Sequence, residues 1–173
     1  MHKLFEYTVF FVALLLLQIF LFNNLNLSVF VHPLVYVAFI VLLPMETRPL
    51  AMLMLGLVMG VAVDLMSGGA GLNTIATLLA AFTRRRILLL MVGKEIVEQG
   101  GIPCSNVLGT GRFLRYAVMV VLVQCIALFT FEALNFSYFH YTLLKIALSS
   151  VLTLMLIYFA QMLLPSTYSK KSF

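Results

Sequence analysis

Long apolar runs broken by short polar punctuation set the pattern of this chain. They occupy residues 4–22, 29–44, 49–66, 71–86, 113–134 and 141–164. A hydrocarbon core roughly 30 Å thick takes about 20 helical residues to cross. The pattern therefore predicts an all-α polytopic membrane bundle of about six transmembrane helices. It forms a single domain over residues 1–173, with a cytoplasmic or interfacial loop at 87–112. The first run follows Lys3 as a signal peptide would. It ends in Asn23, Asn24, Leu25, Asn26, Leu27 and Ser28, without the small-residue pattern of a cleavage site, and so reads as an uncleaved first helix. The second run carries Pro33 near its start and closes on Pro44, positions where proline is tolerated.

The fourth run is short, since only about twelve apolar residues, or about 18 Å of helix, precede Arg84, Arg85 and Arg86. Either a short helix gives way to an interfacial stretch, ILLLMVGKEIVEQ, or the arginines snorkel from a helix that continues through Ile87 to Val92. The shorter helix is the reading adopted.

Composition sharpens this. The chain is 63% hydrophobic and 10% charged, whereas a soluble domain is roughly half apolar and a quarter charged. The formal charge of +5 could point to nucleic acid until the bases are placed. With the N-terminus inside, Lys3, Arg48, Arg84, Arg85, Arg86, Lys94, Arg112, Arg115, Lys170 and Lys171 all fall on the inner side. Only Lys145, of the 11 Lys and Arg, lies near the outer surface. That bias orients the chain with both termini cytoplasmic, and explains the charge by topology and membrane-lipid contact, with no nucleic acid partner. Cys104 sits in a polar loop and Cys125 in an apolar run, and His2, His32 and His140 are scattered, so neither a disulfide framework nor a metal site is expected.

Candidate chemistry concentrates in GLVMGVAVDLMSGGAGLN, residues 56–73. Met52, Gly56, Gly60 and Asp64 recur every four residues and share one helix stripe. Gly56 and Gly60 form a G-x-x-x-G that admits close approach of another helix, either within the bundle or from a partner protein. Asp64 lies about 22 Å above Arg48, in the outer third of the membrane. Glu132 and Lys145 reach a similar level, so structural pairing of Lys145 with Asp64 or Glu132 is expected, since a bare carboxylate in lipid is costly. Ligand contact and an ion relay are the alternatives, but a relay needs polar groups that continue across the membrane. Gly68, Gly69 and Gly71 permit a tight turn, and Ser67, Asn73 or Thr74 could cap the flanking helices. Asp64 is the only aspartate, no catalytic set can be assembled, and no cofactor is expected.

The order of these features resembles the MreD family of bacterial rod shape-determining proteins. LLLLQIFLFNNLNL, HPLVYVAFIVLLP and LGLVMGVAVDLMSGGAGLNTIATLLAAFTRRR carry the resemblance, over roughly residues 10–90. The matching positions are Gln18, Asn23, Pro33, Tyr36, Pro44, Gly60, Asp64, Gly71 and Leu72. The resemblance implies a non-enzymatic scaffold in the bacterial inner membrane, part of the cell-elongation complex. It would bind MreC directly and be linked through it to MreB, RodA and a class B transpeptidase. It also implies an architecture similar to the substrate-binding subunits of energy-coupling-factor transporters. The partner face is then expected on the third-helix stripe and the turn after it, namely Gly56, Gly60, Asp64, Gly68, Gly71 and Asn73. The competing expectation is a small-molecule-binding transporter subunit, with Asp64, Asn73, Glu132 and Lys145 lining an outer cavity.

Overall fold

The structure, a computed structural model, describes residues 9–18, 20, 34–68, 70–132 and 139–163, the side chains of 139–143, 145 and 163 excepted. Expectations for Lys3, Asn23, Pro33, the Lys145 side chain, Lys170 and Lys171 lie outside these residues. Among the described residues every regular element is a helix. In chain order they are α1 (Val9–Gln18), α2 (Val37–Leu42), α3 (Pro49–Ser67), α4 (Leu72–Val92), α5 (Lys94–Gln99), α6 (Ser105–Leu108), α7 (Thr110–Glu132) and α8 (Phe139–Leu163). Of these, α3 and α7 are long and apolar enough to cross a membrane.

Local chemistry sets the boundaries. Arg48 is extended and Pro49 opens α3, where its fixed φ suits the first turn and its missing N–H is no loss. Gly68 ends α3 at φ 67°, a left-handed conformation that costs glycine nothing, and its N–H closes on Asp64 O. Helix α4 corrects the sequence reading. It does not stop at the arginines but runs 21 residues to Val92, ending where Gly93 takes φ 97°. The helix continues because Arg84 finds partners inside the bundle and has no need to reach water at that point. The expected loop 87–112 is accordingly the end of α4 followed by the short α5 and α6.

Helix α4 is central, packed along α3 on one side and α7 on the other, while α7 also packs on α8. The short α2 is enclosed by α4, α7 and α8. All six of its residues are buried, so it has no polar face to turn outward. Phe39 of α2 meets the rings of Phe11 edge-on at 5.1 Å and of Phe10 at 6.4 Å, which fastens α1 to it.

Helix α8 inverts the polarity of a water-facing helix. Its buried side holds Ser149, Ser150, Thr153 and Gln161, while Leu148, Val151, Met155, Phe159 and Met162 face out. Polar groups inside and large apolar groups outside suit a hydrocarbon surrounding. The outward faces of α3 and α4 agree, with Leu65 79% and Leu90 79% exposed.

Candidate functional site: a buried polar network

Past the turn that ends α3, α4 begins after Gly71, a residue with no side chain to cap its first free N–H groups. Asp64 of the preceding helix does so instead. Its Oδ1 accepts from Asn73 N at 3.2 Å and Asn73 Nδ2 at 2.9 Å. Its Oδ2 accepts from Thr74 N at 2.8 Å and Thr74 Oγ1 at 2.5 Å. Asp64 is thus a helix cap supplied from a neighbouring helix, and a carboxylate at a helix N-terminus also complements the helix dipole.

The cap extends inward. Tyr36 Oη donates to Asn73 Oδ1 at 3.0 Å, and Gln124 Nε2 donates to Tyr36 Oη at 2.9 Å and to Thr77 Oγ1 at 3.3 Å. The Thr77 hydroxyl donates to Asn73 O at 2.5 Å. Both hydroxyl hydrogens are thereby committed, which fixes the amide nitrogen of Gln124 as the side facing them. From Gln124 through Tyr36 and Asn73 the donors all point towards the carboxylate, an alignment in which each bond polarises the next. No donor among the described residues reaches Gln124 Oε1.

The glycine stripe makes this geometry possible. A Cβ on Gly60 would lie 2.5 Å from Thr74 Cα, and one on Gly56 would lie 3.1 Å from Ala81 Cβ. Met52, Gly56, Gly60 and Asp64 are all buried, turned towards α4. The stripe is therefore a seam between α3 and α4, and these residues have no surface to offer a partner. Of the two readings of this stripe, packing within the bundle is the one these contacts display. Gly68 and Gly71, both at positive φ, shape the turn that carries Asn73 back over Asp64. The Asp64 oxygens accept from Asn73 and Thr74, while the expected pairing with Lys145 falls on a side chain outside the described ones. Glu132 is exposed in the last turn of α7.

A second constellation lies further along α4, around Arg84, and the sequence reading missed it. Arg84 is 2% exposed, and all its partners are neutral. Its Nε donates to Tyr116 Oη at 2.7 Å, its Nη1 to Met52 Sδ at 3.5 Å, and its Nη2 to Val41 O at 3.4 Å and to Leu43 O. Tyr116 Oη donates in turn to Val41 O at 3.0 Å. The carbonyls of Val41 and Leu43 are orphans because α2 stops at Leu42 and Leu43 turns extended ahead of Pro44. The other end of this segment is held the same way, with Leu34 N donating to Thr153 Oγ1 at 3.1 Å and Val35 N to Gln18 Oε1 at 2.7 Å. The signal for Arg84 was present in the helical period. Thr77, Ala80, Ala81, Arg84, Ile87 and Leu88 form one buried stripe, whereas Arg85 and Arg86 fall off it.

Among the described residues no three His, Cys, Asp or Glu side chains gather as a metal site. What the network can do chemically is solvate buried charge and free backbone groups with donors and acceptors from other helices. Compared with known proteins, the chain matches no family model, no curated protein and no solved structure.

Proposed function

We propose that the chain is a non-enzymatic, six-span scaffold of the bacterial inner membrane that belongs to the cell-elongation machinery and binds MreC, in the manner of the MreD family it resembles. One observation carries this reading. Four residues of the family-like pattern fasten one element to another. Gln18 holds Val35, Tyr36 holds Asn73, Gly60 admits Thr74, and Asp64 caps α4. Function of this kind resides in a rigid shape and its outer faces.

Because the glycine stripe is a seam, a partner must meet residues outside it. At the outer end of α3, Leu65 and Met66 are 79% and 60% exposed beside the turn. Co-expression with tagged MreC and gentle detergent extraction is the test. MreC is expected to co-purify with the intact chain, and L65Q/M66Q to reduce its recovery while the chain itself stays folded. Undiminished recovery with L65Q/M66Q would remove that face from the proposal. No recovery with the intact chain, together with rod shape preserved after its depletion, would remove the function.

A further inference from the structure

We propose that the exposed face of α4 binds an anionic phospholipid of the inner leaflet, with its phosphate on Arg85 and Arg86 and an acyl chain along Phe82, Leu79 and Ile75. The inference rests on the membrane-embedded reading above. Arg84 points into the bundle, and the next two positions turn outward, so both neighbouring arginines are exposed. Ile75, Leu79, Phe82 and Arg86 follow at spacings of four, three and four residues, which is a single stripe along the helix. The three apolar members are 44%, 40% and 59% exposed. From Ile75 to Arg86 the stripe is about 16 Å long, close to the depth of one leaflet of a roughly 30 Å hydrocarbon core.

The position of the charge calls for a ligand. About 9 Å of helix, Ile87 to Val92, follows the arginines before α4 ends. The Arg86 guanidinium does not reach down that length. It lies 5.7 Å from the centre of the Phe82 ring, one turn back towards the N-terminus of α4. Among the described residues no carboxylate pairs with Arg85 or Arg86. Cations held beside hydrocarbon in this way are costly unless an anion comes to them. A phospholipid supplies both parts at once: phosphate oxygens that match two adjacent guanidinium forks, and a chain that covers the apolar stripe.

The test uses the full chain reconstituted in vesicles of equal phosphatidylglycerol and phosphatidylcholine, then gently extracted for native mass spectrometry. Phosphatidylglycerol is expected to be retained on the order of tenfold over phosphatidylcholine. R85Q/R86Q is expected to bring that ratio to about one, while R112Q/R115Q, which removes equal charge elsewhere, leaves it unchanged. An even ratio in the unaltered chain overturns the proposal without reference to any variant. A preference that survives R85Q/R86Q does so too, as does an acidic polypeptide from cells that is lost in R85Q/R86Q in place of lipid. An alkaline carbonate wash separates the two levels. A chain that stays with membranes but shows no lipid preference loses only this site, whereas a chain that washes off loses the membrane reading as well.

Discussion

Two buried charges carry the interior, and each is solvated by the backbone. Asp64 receives two N–H groups of α4 and two side-chain donors. Replacement by Asn keeps the shape but places an NH2 where one oxygen accepted, facing Thr74 or Asn73 donors. D64N is expected to cost about 1–3 kcal/mol, read as a lowered Tm in detergent. An unchanged Tm would mean that α4 is capped some other way. At Arg84 the planar fork spans three acceptors and a sulfur, which a lysine ammonium cannot do. R84K should lower stability by about 2–3 kcal/mol and Y116F by about 1–2 kcal/mol. Because the two side chains share Val41 O, the double variant should lose less than the sum, with a coupling of about 0.5–3 kcal/mol. Strict additivity would show that the contacts act separately. The place of Asp64 on the glycine stripe, one turn before Gly68, was legible in the sequence. Its donors were not, because Asn73 and Thr74 lie across a turn whose closure depends on Gly68 and Gly71, and spacing along α3 gives no sight of them.

Helix seams, caps and breaks differ in how far the sequence discloses them. The G-x-x-x-G-x-x-x-D stripe was readable as a close-packing face, but a single chain cannot say which helix fills it. The answer lies in the distances to α4. These give graded expectations: G60A forces a Cβ against backbone at 2.5 Å and should cost about 1–3 kcal/mol, while G56A meets the Ala81 methyl at 3.1 Å and should cost less. Thermal unfolding of the two variants side by side checks the order, and a reversed order would misplace the seam. The ends of α3 were legible from Pro49 and Gly68. The run through the arginines was not, because three adjacent bases look like a stop until the buried period of α4 is laid over them. The second apolar stretch was read as a helix over 29–44, yet within the described part only Val37–Leu42 is regular. Its apolar composition hides the break, since the groups that make a short buried helix tolerable belong to Gln18, Arg84, Tyr116 and Thr153 on other elements.

For the molecule as a whole, the all-helical class followed from the apolar runs, and two helices of membrane-spanning length agree with it. The proposed six-span topology with both termini inside makes a further expectation through the native thiols. Cys104 is half-buried in the segment between α5 and α6, and Cys125 is buried in α7. A membrane-impermeant maleimide should label Cys104 in inside-out vesicles and spare it in right-side-out ones, with Cys125 silent in both until the protein is denatured. Labelling of Cys104 from the outer face would reverse the topology. The way α2 is held also sets an order of events during synthesis. The Leu34 amide finds its acceptor 119 residues later in the chain, and the Val41 carbonyl finds Tyr116 75 residues later. At roughly 5–20 residues per second, Thr153 leaves the ribosome about 6–24 s after the segment it completes. Through that interval the Leu34 amide has only water or the insertion machinery to bond to. A nascent chain stalled before Thr153 therefore carries an open backbone amide that a quality-control protease can recognise, and α8, made late, completes α2, made early.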